Sequence, residues 1–327
     1  MLALSCAVSE YEHVRDLETG RVKPEGIDLN LVILPVEEVF FRSLRFKEFD
    51  ISEMSMGRYV ATLSSGDSPF VAIPVFPSRM FRHSAIYVKT NGSVRTPKDL
   101  RGARVGVPEW AQTAGIYVRG LLADEYKVPA ADVEWVQGGL EQPGREEEVT
   151  IELPAGVRLR RVEDRTLNDM LLRGELDALI SAHPPIAFKQ GDPNIRTLFD
   201  DPAEVESRFW QDTGIFPIMH TIVIKRDIFE SNRWIAMNLQ QAFADAKNRC
   251  IARARDKLAS RFPIPFMNEF VRATNARFGD DFWPYGIEPN RKTLSAFLRF
   301  AHMQGVTRHL LQVDELFPPE VMQRFKI

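Results

Sequence analysis

The chain has 327 residues, enough for two domains, with the composition of a globular protein: 44% hydrophobic, 27% charged and 10% aromatic. Its 42 basic and 45 acidic residues leave a net charge of −3, which argues against the basic surface that nucleic acid or an anionic membrane would need. Cys6 and Cys250 are too few for a disulfide framework or a cysteine zinc site, and no stretch approaches the ~18 apolar residues of a membrane span.

The opening "MLALSCAVSEYEH" lacks a positive n-region and a long apolar run, so it reads as a first strand of a cytoplasmic protein. Residues 2–8 and 29–34 have the pattern of short buried strands, separated by a turn at Pro24-Glu25-Gly26. In "VEEVFFRSLRFKEF", Val36, Val39, Phe40 and Leu44 mark one face of an amphipathic helix. Asp50 then opens a short strand that leads through Glu53 and Arg58 into another helix. The same helix–turn–strand unit recurs with Leu167, Met170 and Leu171, a stop at Gly174, Asp177, and a strand ending at Ser181-Ala182-His183.

Between these units, "FPSRMFRHSAIYVK" places Arg79, Arg82 and His83 at the entry to an apolar strand. Pro97 to Leu100 is a turn or helical stub, Ala103 to Val107 a strand, and Thr113 to Tyr126 a helix. Residues 138–160 read as an exposed hairpin insertion, "FPIMHTIVIKRDIF" as a strand, and the chain from Asn232 as mainly helical. Alternating strands and helices predict two α/β halves with mostly parallel sheets, whose ligands bind beyond the strands' carboxyl ends.

The blocks "EGIDLNLVILPVEEVFFRSLRFKEFDISEMSMGRYV", "LRGARVGVPEWAQTAGIYVRGLL" and "LLRGELDALIS" together resemble type II periplasmic-binding-protein folds. That resemblance implies two lobes, 1–87 plus 216–327 and 88–215, joined by crossings at 79–90 and roughly 214–226. It also implies a ligand cleft between the lobes. The blocks "FPSRMFRHSAIYVK", "WAQTAGIYVRGLL", "SAHPP" and "TGIFPIMHTIVIKRDI" are similar to the 4,5-dihydroxyphthalate decarboxylase family. The likeness implies a carboxy-lyase that needs no organic cofactor.

Such chemistry requires cations for the carboxylates, a proton donor at the ipso carbon, and a phenol para to the departing group. Arg79 and Arg82, at the first crossing, suit carboxylates; interlobe salt bridges are the alternative. Gln112, Thr113 and Ala114 open a helix whose free N–H groups suit an anion, with a plain N-cap as the alternative for Thr113. Glu53, Arg58, Glu109 and Trp110 are further ligand contacts. Glu53 and Arg58 could equally pair with each other, and Trp110 could simply pack.

Histidine is the natural acid near neutrality. His83 ranks first, beside Arg82; His183, fixed by Pro184 and Pro185, ranks second; His13 is third, and His220 is placed among the ligand contacts. No paired metal-ligand motif is present, so a divalent metal would need a distributed site. The partner expected is a small aromatic carboxylate, with a homodimer expected on size alone. A solute-binding protein for such an anion is the competing reading.

Overall fold

The computed structural model describes residues 1–322. Its strands in chain order are β1 (Leu2–Val8), β2 (Ile27–Ile33), β3 (Ile51–Ser55), β4 (Phe70–Ile73), β5 (Ile86–Lys89) and β6 (Arg104–Val107). They continue as β7 (Glu134–Gln137), β8 (Arg158–Arg161), β9 (Ala178–Ile180), β10 (Ile195–Thr197) and β11 (His220–Lys225). Two sheets result, ordered β2-β1-β3-β11-β4 and β10-β5-β9-β6-β7-β8.

The sheets are mixed rather than mostly parallel, and the exceptions mark the crossings. Strands β1 to β3 pair parallel, as do β6 to β9. By contrast, β5 lies antiparallel between β9 and β10, and β11 antiparallel between β3 and β4. Each is the first strand laid down after the chain changes sheet, so it runs against its hosts. The expected boundary at 87/88 falls inside β5, all of which belongs to the second sheet. The two connecting segments run side by side: Met80 N donates to Pro217 O and Met219 N to Ser78 O, and Arg79 and Ile218 form an isolated bridge.

The recurring aspartates have one structural task. Asp50 accepts from Ser5 N and Oγ, each at 2.9 Å, and so ties the start of β3 to β1. Asp177 accepts from Arg104 N at 2.9 Å and Nε at 3.0 Å, and so ties the start of β9 to β6. The helix Val36–Phe46 buries Val39 and Phe40 against the first sheet, as its apolar spacing predicts.

Of two expectations for the later chain, one needs correction and the other holds. Residues 138–160 are largely exposed, as expected, but not a hairpin: 158–161 become β8, parallel to β7, and extend the second sheet, while 139–148 run along the edge of a cavity. The C-terminal region is helical, with helices Ile235–Arg255, Met267–Phe278 and Arg291–Met303. The last of these leans on the second lobe's helix Thr113–Tyr126, where Phe297 and Tyr117 have ring centroids 5.0 Å apart. Among the described residues, no helix is long and apolar enough to cross a membrane.

Candidate active site

Strand ends from both sheets converge. Ser55 ends β3, Glu109 follows β6, and His183 follows β9, which places all three at carboxyl ends. The lobes meet tightly there: Thr113 Oγ1 lies 2.8 Å from Ser55 Oγ and accepts from Gly57 N at 3.0 Å. Gly57 has to be glycine, because a Cβ there would stand 2.1 Å from the Ala111 carbonyl oxygen.

Glu53, in the middle of β3, is fully buried, and a buried carboxylate is tolerated only with partners. It has three: Ser9 N donates at 2.9 Å, Tyr11 Oη at 2.6 Å, and His220 Nδ1 lies at 2.6 Å. Burial opposes its ionisation, but the bonds from His220, Tyr11 and Ser9 outweigh it and hold the carboxyl below its ordinary range. The ionised acceptor assigns the Nδ1 proton to His220 and leaves Nε2 as the ring nitrogen that Glu53 does not engage. Burial and the Glu53 charge push the Tyr11 phenol far up, so it remains a donor. His13 lies between Tyr11 and Trp283, and burial lowers it to about 4, which makes it neutral and a poor acid at neutral pH.

A cavity of about 1230 Å³ opens nearby, lined by the helix Val36–Phe46, Arg58, Glu109, the segment 139–148 and His183. An ion network surrounds it. Buried Arg58 bonds Glu109 at 3.0 Å and Glu148 at 2.7 Å, and Arg145 bonds Glu109 at 2.6 Å. Glu37 sits 3.4 Å from His183 and 3.5 Å from Arg145, linking the first lobe's helix to the second lobe. The His183 hydrogen bond, aided by Arg145, lowers the Glu37 carboxyl to about 2. His220 lies behind Phe40 rather than in the lining of this cavity. The Phe40 ring meets His220 edge-on at 4.9 Å and the Arg58 guanidinium at 5.5 Å. Among the described residues, no group of three or more His, Cys, Asp and Glu side chains is placed to hold a metal ion.

The charged lead-in to β5 behaves differently from its expectation. His83 is 1% exposed and packed against Phe199 and Phe209; among the described residues neither ring nitrogen makes a hydrogen bond, and Nε2 lies 4.0 Å from the Glu125 carboxylate. A 3₁₀ turn at His83–Ala85 carries it into the core. Arg79 is committed to the fold: it donates to Phe216 O at 3.2 Å, to Pro284 O at 2.7 Å and to Asn290 Oδ1. Arg82 donates to Ala182 O at 3.3 Å and to Met219 Sδ at 3.1 Å, behind the cavity rather than in its lining. Among the described residues, neither arginine makes the interlobe salt bridge offered as the alternative.

Trp110 packs rather than stacking on a ligand. It is fully buried against Trp135 and Arg119, and its Nε1 donates to Gln304 O at 2.8 Å. Gln112, not Thr113, holds the N-cap position, and its Oε1 accepts from Ala182 N at 3.3 Å. Ala114 is buried in the first turn of that helix. Glu53 and Arg58 do not pair with each other. Residues missed from sequence are Tyr11, Glu37, Phe40, Arg145, Glu147 and Glu148. Only the "REEE" run at 145–148 carried a readable signal.

Two α/β sheets, paired crossings and polar groups gathered at the strand ends between them define the periplasmic-binding-protein-like class of folds. No family model matches the sequence. The fold is similar to that of the periplasmic aliphatic sulphonate binding protein SsuA from Escherichia coli (TM-score 0.56, 12% identity, 100% of this chain and 95% of that one). It is also similar to the desulfurization enzyme DSZB (TM-score 0.51, 14% identity, 98% of each chain). In sequence, the chain is 38% identical over 327 residues to the 4,5-dihydroxyphthalate decarboxylase of Comamonas testosteroni, across 100% of this chain and 99% of that protein. It is 41% identical over 211 residues to the enzyme of the same name from Pseudomonas putida, across 64% of this chain and 82% of that protein. The chain belongs to the 4,5-dihydroxyphthalate decarboxylase family.

Proposed function

We propose that this protein converts 4,5-dihydroxyphthalate to 3,4-dihydroxybenzoate and CO2 without oxidation, in a cleft between the two lobes, with the whole of β5 assigned to the second. The identity to a decarboxylase of that name along the whole chain carries the reading. Direct loss of CO2 would leave an aryl carbanion in the ring plane. A hydroxyl para to the departing carboxylate provides the easier route, because its electrons raise the density at the ipso carbon. A proton adds there, the bond to the carboxylate breaks, and its electron pair restores the aromatic ring. One proton enters and a dianion becomes a monoanion.

His220 is assigned as the donor of that proton from Nε2, with Glu53 and Tyr11 fixing its orientation. Arg58 is assigned to a substrate carboxylate, with Glu109 holding its guanidinium. Arg58 and His220 both meet Phe40, so one buried ring sets the spacing between the cation and the acid. This assignment replaces His83 and His13, and makes His183 part of a latch with Glu37. The steps as written draw on no organic cofactor, and a cytoplasmic homodimer remains part of the proposal.

Incubation of the pure protein with 4,5-dihydroxyphthalate, following CO2 and 3,4-dihydroxybenzoate together, tests the reading. Equal yields of both support it. Saturable binding with no turnover would instead support a solute-binding protein.

A further inference from the structure

We propose that the segment 141–149 is an internal competitor for the substrate: Glu147 and Glu148 occupy the donors that bind the substrate's two neighbouring carboxylates, and the loop withdraws when substrate enters. The proposal rests on the decarboxylase reading above and adds to it a carboxylate subsite and a moving part.

Glu147 is held by donors outside its own loop. Trp110 N and Ala111 N donate to it at 2.5 and 3.2 Å, and Gln137 Nε2 at 3.1 Å. Two further buried groups lie behind these donors. The Gln137 amide, 1% exposed, leaves Oε1 without a partner beside the Nε2 that binds Glu147. Arg119, 2% exposed, has an unpartnered Nη1, lies 3.9 Å from the Trp110 ring centroid, and forms no salt bridge among the described residues. Its positive field backs the Trp110–Ala111 turn, and Glu147 is the carboxylate that answers it. Glu148 occupies Arg58 Nη1 at 2.7 Å, while Glu109 holds Nη2. A ligand carboxylate can take the place of Glu148 without disturbing the bond that orients the guanidinium.

The charge balance requires such an exchange. Six carboxylates and four Arg or Lys cations line the cavity, and four of those carboxylates belong to residues 141–148. A dianion would be repelled from the cavity in this state. Withdrawal of the loop, with its Arg145, leaves two carboxylates facing three cations. Burial raises both the Glu147 and Glu148 carboxyls above their ordinary range, so these are not sites that suit an acidic side chain for its own sake.

The loop is also built to leave. Among the described residues, no backbone group from Glu141 to Ile151 bonds another backbone group. Side chains alone hold it, through Glu147, Glu148, Arg145, the packing of Val149 and Ile151 on the core, and the bond from Ile186 N to Glu141 at 2.7 Å. Segments without backbone bonds open at little free-energy cost.

Phthalate is the probe. It carries both carboxylates but no hydroxyl, so it binds without following the route to CO2. Its Kd is measured by calorimetry for wild type, Glu147→Ala, Glu147→Gln, Glu148→Ala and the Glu147→Ala/Glu148→Ala pair, with melting curves to confirm folding. If the open loop is about one tenth populated, the double variant binds phthalate about tenfold more tightly and each single variant about threefold. In an Arg58→Gln background the gain from Glu148→Ala should vanish. Unchanged or weaker binding in folded variants, or no binding in any of them, overturns the proposal. Turnover of 4,5-dihydroxyphthalate by wild type is scored separately. Turnover with unaltered phthalate binding sinks only the loop, whereas tightened phthalate binding without turnover sinks only the decarboxylase reading.

Discussion

Two histidine–glutamate pairs stand at the junction of the lobes, built from the same groups in opposite surroundings. In Glu53–His220 the carboxylate is enclosed, the ring is 16% exposed and the atoms lie 2.6 Å apart. In Glu37–His183 the side chains are 50% and 52% exposed and 3.4 Å apart. Water screens the second pair, and such exposed pairs contribute only about 0–1 kcal/mol. The first pair has its orientation set before any ligand arrives, by a carboxylate already fixed by Ser9 and Tyr11. A proton donor benefits from that preorganisation, whereas a latch between lobes benefits from being easy to break.

Substitution at either pair separates the two roles. The largest effect is expected from His220→Gln, which should lower kcat by about 10²–10⁴-fold while changing KM far less. Glu53→Gln should follow, with kcat down about ten- to a hundredfold, the range expected from losing a hydrogen bond to a charged group. A larger fall in Glu53→Gln than in His220→Gln would make the carboxylate, not the ring, the reacting group. His183→Gln should raise KM by no more than about fivefold and leave kcat nearly unchanged, matching the small worth of an exposed pair.

The remaining expectations concern histidines outside the chemistry. His13 falls from its ordinary 6.5 to about 4 on folding, chiefly through burial. Between those values the unfolded chain binds the extra proton, so this group's contribution is complete above pH 6.5 and is lost as the pH falls toward 4. Melting temperatures of His13→Phe across that interval should therefore show a shallower acid slope than wild type. His83→Phe should do least of all. It exchanges one ring for another in an aromatic pocket, and kcat should stay within about twofold of wild type. A large loss there would return His83 to the reaction.

The architecture was legible because it rests on local rules. Period-2 and period-3.6 apolar spacing located the strands and the helix Val36–Phe46, and the repeated aspartates marked equivalent strand starts. The site was legible mainly in its residue types. Glu53, Arg58, Glu109, His183 and His220 all lie around the junction. Their pairing was not readable, because it depends on the antiparallel register that sets His220 opposite Ser55 and Ile222 opposite Glu53. Adjacency misled for Arg79, Arg82 and His83. A cluster of charge in sequence says nothing about whether carbonyls and aromatic rings will absorb it in the core. The fold of 139–148 was hidden for the related reason that an acidic run looks solvated until the partners of its carboxylates are known.

The account rests most heavily on which buried or exposed pair handles the proton. The direct measurement is kcat for 4,5-dihydroxyphthalate in His220→Gln and His183→Gln, side by side at saturating substrate, with phthalate Kd confirming that both still bind. The account predicts that the His183 variant turns over at least about a hundredfold faster than the His220 variant. Near-normal turnover by His220→Gln, with activity lost in His183→Gln, would contradict it.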